Sequence, residues 1–397
     1  MEETKYLGAT YIDTVTNGIL QDGIIALHRD CIAGIYSKSD FDKAHPGQQS
    51  SVQWMNGIII PGLVNAHCHL ELSYLKSRIT QHTGLSDFIT QVEKLKSADK
   101  GHILHCAYEA DDEMYQNGIV YVGDVCNTLD AQLVREESKI KYYHFCEVYG
   151  IDEQKAEFAY ERIKALKACI SAPDKSIVPH APYSVSNKLF SLIEHGKEEL
   201  VSIHNQESAA EDDMFKNKSG EIVERLVNWG INLDGFEPTG KTSLQSYYDS
   251  LPHNERKMFV HNTCTTPDLI NAYSHPLNYW CLCPGANLFI ENKLPALETF
   301  FLQKDNCVVG TDSLASNTEL NIIHELKIIF DYLMQHKIQL PALEVFSRLV
   351  RFATLNGARF FNCENYLGSI ETGKSPGIVL LENGDFNFNY SRIIRLV

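Results

Sequence analysis

The sequence predicts an α/β protein built as a (β/α)8, TIM-type barrel with a small β-module assembled from its two ends. Three observations predict it: eight short apolar runs along the middle of the chain, longer amphipathic segments between or after them, and a strand-rich texture at both termini. Eight is the strand number that closes such a barrel. The 397 residues suffice for a barrel of roughly 250 residues with an appendage.

Residues 1 to about 60 carry KYLGATYI, GIIALH, CIAGIYS and GIIIPG, short runs broken by Gly, Asn and Asp with no helical period. At the other end, GKSPGIVLLENGDF places a strand between turn signals, and RIIRLV closes the chain. The two ends are expected to pair in one sheet, residues 1–60 with 365–397, leaving 61–364 as the barrel. The eight barrel runs are IIIPGLVNAH (58–67), GIVYVGDV (118–125), YYHFCEVY (142–149), SIVPHAPY (176–183), LVSIHNQ (200–206), MFVHN (258–262), YWCLCP (279–284) and NCVVGTD (306–312). SDFITQVEKLKSA, EFAYERIKALKACI and ELNIIHELKIIFDYLM supply helices among them. The longest stretch between strands, 207–257, mixes SGEIVERLVNW with the turn-rich GFEPTGKTS; a segment so placed is expected to cover a barrel mouth.

Composition narrows the function. With 35 Lys and Arg against 51 Asp and Glu, the net charge of −16 repels a phosphate backbone, so no nucleic-acid partner is expected. MEETKYLGATYID lacks the basic-then-apolar pattern of an export signal, and no apolar run nears the ~20 residues that cross a bilayer, so neither export nor a membrane partner is expected. Eleven cysteines, an odd number with no C-x-x-C pair, suggest neither a disulfide framework nor a zinc ribbon and fit a cytoplasmic protein. Cys281 and Cys283 alternate onto one face of a strand, where the reading is two small apolar core residues.

Chemistry gathers at the C-terminal ends of these strands, which in a barrel form the catalytic face. His67 and His69 end the first run in VNAHCHLELS, and their spacing of two turns both imidazoles to one side of an extended backbone. His204 ends the fifth run in SIHNQE, and Asp312 the eighth in VVGTDS. Three nitrogens and one oxygen, with a position left for water, describe a hydrolytic metal site. Glu207, three residues past His204, and His261, ending the sixth run in FVHN, are placed to move protons. A lone strand histidine is more often a hydrogen-bonded core or surface residue; the signal is five His or Asp residues at the ends of strands in barrel order.

PGLVNAHCHLELS, VPHAPYSVS, IHNQE, VHN, CPGAN and GTDSLASN together resemble the motif series of the amidohydrolase superfamily, over residues 61 to 316. More narrowly they are similar to the branch of nucleoside and nucleobase deaminases, aminofutalosine deaminase and s-triazine hydrolases. The resemblance implies a distorted barrel and a composite β-sandwich from both termini. It implies His67, His69, His204 and Asp312 as ligands of one divalent metal ion, zinc by default with iron or manganese acceptable to the same donors. It further implies His261 and Glu207 as the catalytic pair with Asp312, and His180 in PHAPYS as a substrate contact. Binuclear relatives carry a carboxylated Lys on the fourth strand; SIVPHAPY has none, which favours one metal. A homodimer is compatible with the family.

Two departures stand out. Ala286 in CPGAN replaces a Ser common in relatives, so a hydroxyl contact near the mouth is expected to be missing. Glu71 and Ser73 follow the metal pair in HCHLELS, and Glu71 reads either as a contact to a substrate hydroxyl or amine or as half of a structural salt bridge. The expected reaction is hydrolytic deamination of a purine-like, nucleoside-like or aminofutalosine-like heterocycle by metal-activated water, with Glu207 protonating the ring nitrogen and then the amine. The alternatives are hydrolysis of a cyclic amide or of a C–Cl bond as in an s-triazine chlorohydrolase, and a non-catalytic scaffold. Glu207 favours deamination, because an amine needs a proton to depart and chloride does not.

Overall fold

A computed structural model describes residues 4–196, 198–303 and 305–397. They fall into two compact units, one of Met1–Asn65, Asp112–Tyr121 and Asn321–Val397, the other of Ala66–Asp111 and Val122–Leu320.

In the first unit, strands β1 (Lys5–Asp13), β2 (Ile19–His28), β3 (Cys31–Ser37) and β4 (Val52–Pro61) join two from the far end of the chain, β13 (Ile378–Glu382) and β14 (Arg392–Arg395). They form one six-stranded sheet, ordered β14-β13-β4-β1-β2-β3. The two ends of the sequence therefore share a sheet, as their texture predicts. Alternation sorts its faces: Leu7, Ile25, Leu27, Ile59 and Leu380 pack in one cluster, while Tyr6, Ile24 and Ala26 pack with Phe41 in another. β1 and β2 run antiparallel across a turn that Gly18 makes at φ 80°. β1 and β4 run parallel, which requires a crossover, and helix Lys38–Ala44 lies on it.

The first predicted barrel run is two strands. IIIP ends β4, and β5 (Leu63–Cys68) begins only after Gly62. Pro61 has no N–H to continue a ladder, and the Gly62 N–H turns to the carbonyls of Pro376 and Gly377. An added Cβ at Gly62 would sit 2.4 Å from a Val120 methyl, so the break is built for glycine.

The remaining seven runs appear as β6 (Ile119–Cys126), β7 (Lys141–Val148), β8 (Lys175–Pro179), β9 (Leu200–Asn205), β10 (Arg256–His261), β11 (Asn278–Leu282) and β12 (Cys307–Val309). They make two four-stranded sheets, β5-β6-β7-β8 and β12-β11-β10-β9. β9 to β12 pair in parallel, as do β7 and β8, with helices between consecutive strands. Near-continuous burial of β9, β10 and β11 is the mark of parallel strands covered on both faces. At one margin the His204 N–H donates to the His180 carbonyl at 2.9 Å; at the other the Thr311 and Asp312 N–H groups donate to the His67 carbonyl at 3.1 and 3.0 Å.

Cys281 and Cys283 are buried with their sulfurs 3.9 Å apart, on one face as the alternation requires. No helix among the described residues is long and apolar enough to cross a membrane.

Candidate metal and catalytic site

The C-terminal ends of β5, β8, β9, β10 and β12 meet around one cavity of about 420 Å³ in the second unit. His69, His180, His204, Glu207, His261 and Asp312 line it, and His67 lies fully buried beneath. The His69 and His67 Nε2 atoms are 3.1 Å apart, and the His204 and His69 Nε2 atoms 3.3 Å. Asp312 Oδ1 stands 3.5 Å from His69 Nε2 and 3.7 Å from His67 Nε2. The donor atoms of His67, His69 and Asp312 lie within 4.8 Å of one another, as do those of His67, His204 and His261. A third such group is Glu147, His180 and His204.

The neighbours of these rings fix what they present. A carbonyl can only accept, so His204 Nδ1, 2.8 Å from the His180 carbonyl, carries the proton and Nε2 faces the cluster as a bare lone pair. Burial holds the His67, His69 and His204 imidazoles neutral, with pKa values below the ordinary histidine range. The Ser316 hydroxyl donates to Asp312 Oδ2 at 2.6 Å, leaving Oδ1 to the cluster. Converging neutral nitrogens beside a carboxylate oxygen at these spacings fit a divalent cation better than any network of hydrogen bonds among themselves.

Backbone placement is costly at several of these positions. His261 and Asp312 adopt φ of 72° and 56°, the left-handed region that side chains other than Gly rarely enter. Gly310 lets the chain just past β12 approach His67 closely: an added Cβ there would lie 2.8 to 2.9 Å from the Cβ, O and N of His67.

Glu207 and His261 sit beside the cluster. His261 Nε2 is 3.6 Å from Glu207 Oε1. The Asn287 amide holds the other side of the ring: its oxygen accepts from His261 Nδ1 at 2.9 Å while its Nδ2 donates to the His261 carbonyl at 3.2 Å. His261 Nε2 is thereby left as a base. Burial pushes the Glu207 carboxyl up to about 7, against the opposing pull of His261. His180 donates from Nδ1 to the Ser184 hydroxyl, 2.7 Å away, whose own proton goes to the Ala181 carbonyl. Its Nε2 is an acceptor, kept neutral by burial that takes its pKa down to about 3.

Glu71 lines the cavity wall, and its carboxylate accepts the Asn127 and Thr128 N–H groups and the Thr128 hydroxyl at 2.9 to 3.0 Å. No cation bonds directly to it among the described residues; its partners are the loop after β6. Ser73 donates to the Leu70 carbonyl. Ala286 is fully buried in helix Pro284–Glu291 and is not among the cavity's lining residues.

Several contributors carry no strand-end signature that sequence reasoning used. Glu147, next to last in β7, lines the cavity, stands 3.5 Å from His204 Nδ1 and is raised by burial to about 8. Its place at a strand end was a usable signal. Asp124 in β6 accepts the Leu70 N–H at 2.8 Å and pairs with the buried Arg135 guanidinium at 2.5 and 2.6 Å, which pins the chain just past His69. Segment 207–257 supplies Arg225, Leu226 and Trp229 to the cavity wall, and Met214, Ile222, Leu226 and Leu233 anchor it in an apolar cluster with Tyr74 and Leu85.

A model of the amidohydrolase family matches residues 58–395. The adenosine deaminase of Helicobacter pylori is 25% identical over 347 residues, 84% of this chain and 80% of that protein. The structure of Helicobacter pylori aminofutalosine deaminase in complex with methylthio-coformycin matches with a TM-score of 0.78 at 21% identity, over 99% of this chain and 100% of the other. An adenosine deaminase from Xanthomonas campestris with bound zinc matches with a TM-score of 0.70 at 19% identity, over 95% and 84%.

Proposed function

Since this chain belongs to the amidohydrolase family, we propose that it is a metal-dependent hydrolytic deaminase of an aminated heterocycle of the purine nucleoside or aminofutalosine type. In this reading residues 61–364 are the hydrolase, with the two four-stranded sheets as halves of one closed barrel, and residues 1–60 with 365–397 are the composite β-sandwich.

One observation carries the proposal: a carboxyl tuned near neutrality, Glu207, shares one cavity with a base, His261, and with a cluster of three imidazoles and a carboxylate. His67, His69, His204 and Asp312 would hold a divalent ion, zinc as in the Xanthomonas campestris relative, and such an ion supplies water activated as a nucleophile near neutral pH.

The chain's own groups then divide the proton work. His261, its Nδ1 committed to Asn287, receives the proton of the attacking water at Nε2. Glu207, raised by burial to about 7 so that a protonated population persists near neutrality, gives its proton to the ring nitrogen next to the carbon under attack, and a proton passes through it to the departing amine. Water and the amino heterocycle become ammonia and a ring carbonyl. His180 Nε2 is placed to accept from a donor on the substrate, and the apolar side chains of Leu72, Leu85, Phe88 and Ile89 exclude bulk water. The deaminase names of the Helicobacter pylori relatives support this assignment.

The test is ammonia release by zinc-replete protein from adenosine-like, aminofutalosine-like, guanine-like, cytosine-like and triazine-like compounds. A 6-aminopurine nucleoside is expected to turn over fastest. Ammonia from none of them would overturn the proposal.

A further inference from the structure

The cavity wall holds a cation that this chemistry does not use. Arg225 belongs to helix Glu221–Asn228, on the buried stripe with Ile222 and Leu226, and it lines the cavity while only 6% exposed. Its guanidinium carbon lies 5.3 Å from the Trp229 ring centre and 6.0 Å from that of Tyr183. Nη1 donates to the Ser86 carbonyl at 3.2 Å, whereas Nε is buried without a partner. Among the described residues no carboxylate pairs with it; Glu93, on the same wall, is taken by Lys96.

A guanidinium cannot shed its proton at any working pH, and a buried charge left unpaired is strongly unfavourable until a partner arrives. With aromatic rings beside it, what Arg225 still offers is the in-plane N–H donors, which match the two oxygens of a carboxylate. The rest of the wall is mixed: Glu71, Glu93, Asp130 and Glu147 line the same cavity with Lys96 and Arg162, and Glu93 is paired with Lys96, so the wall is no general anion site and the planar carboxylate is the group that suits the in-plane donors of Arg225.

We propose that Arg225 determines specificity by binding a carboxylate on the substrate's tail, at the end remote from the amine that leaves. This rests on the deaminase reading and deepens it: the substrate is an aminated heterocycle bearing one anionic substituent. Segment 207–257 then delivers both the proton-moving Glu207 and the residue that reads the tail.

The test uses the zinc-replete full chain and 5′-thioadenosines whose sulfur carries a carboxymethyl, carboxyethyl or carboxypropyl arm, each beside its carboxamide. Two quantities are read, kcat/KM for ammonia release and Kd by calorimetry. For at least one arm length the carboxylate is expected to be preferred about 10- to 100-fold in both, the range of a charge-assisted hydrogen bond to a buried group. Arg225→Gln should bring that ratio close to one, and Arg225→Lys should keep part of it. A wild-type ratio near one at every arm length overturns the proposal, as does a preference that survives Arg225→Gln or tighter binding of adenosine 5′-phosphate than of every carboxylate. If Arg225→Gln does not fold, the wild-type ratio and Arg225→Lys decide. If no probe releases ammonia, the deaminase reading fails, while the Kd ratio still decides the role of Arg225.

Discussion

The floor and the outer wall of the cavity are built by different rules. Floor residues His204, His261 and Asp312 sit at strand ends, and each has a second partner that fixes it: the His180 carbonyl, the Asn287 amide and the Ser316 hydroxyl. Wall residues Arg225 and Trp229 sit on or just past a helix, and Arg225 has one backbone carbonyl and an unsatisfied Nε. A reaction centre needs atoms held to a fraction of an ångström, which strands and double anchoring supply. Recognition of a tail needs unspent donors, which only an incompletely satisfied side chain retains.

The sharpest way to break this comparison is at the floor itself. His67→Ala should lose both bound metal by elemental analysis and all measurable turnover. Glu207→Gln should keep the metal and lower kcat by roughly 10²- to 10⁴-fold, the usual worth of a positioned acid. A Glu207→Gln variant with near-normal turnover on the best substrate would remove Glu207 from the mechanism.

Beneath the floor, Asp124 is the test of anchoring. Asp124→Ala strands the fully buried Arg135 guanidinium and frees the chain after His69, so a stability loss of about 3–5 kcal/mol is expected in denaturant titration. A loss under 1 kcal/mol would show that the pair contributes little. Asn287→Ala touches only the orientation of His261. A fall of roughly 10- to 100-fold in kcat with metal content unchanged is expected, and unchanged kcat would mean the ring is held by packing alone.

The smallest expected effect concerns pH. Glu211 is buried, accepts the Gln206 N–H and the Ser243 hydroxyl, and is raised from 4.5 to about 8, burial being the main cause. A carboxyl whose folded pKa is raised makes the folded state the better proton binder, so its contribution is full below about 4.5 and is lost as pH climbs toward 8. Glu211→Gln should therefore flatten the decline of Tm between pH 5 and 8. A decline identical to wild type would assign the pH dependence to other groups.

Much of this was legible in the residues. The eight runs, the H-x-H pair and the strand-end positions of His204, His261 and Asp312 follow from alternation and from the rule that ligands gather at one end of parallel strands. The break of the first run at Pro61–Gly62 was less visible, because an apolar stretch continues across it and the groups that fix it, the Pro376 and Gly377 carbonyls and the Val120 methyl, lie far along the chain. Glu147 stands at a strand's C-terminal end as its neighbours do, and that placement is the one mark FCEVY gives of it. Arg225 had a signal in hindsight: an arginine on the stripe of Ile222 and Leu226 is a charge where the helical period expects an apolar residue.

The sequence by itself determined which elements form, which residue types meet at the strand ends and that both termini share a sheet, because these depend on local period and on chemistry that each residue carries with it. Only the tertiary structure decided which lone pairs face inward, that Asn287 and Ser316 orient His261 and Asp312, that Glu71 is bound by the loop after β6, and that Arg225 is left with an unused donor. Except for Ser316, four residues past Asp312, those outcomes depend on hydrogen-bond partners tens of residues away or more, and on burial that shifts a carboxyl or an imidazole. No local pattern encodes such long-range satisfaction of polar groups.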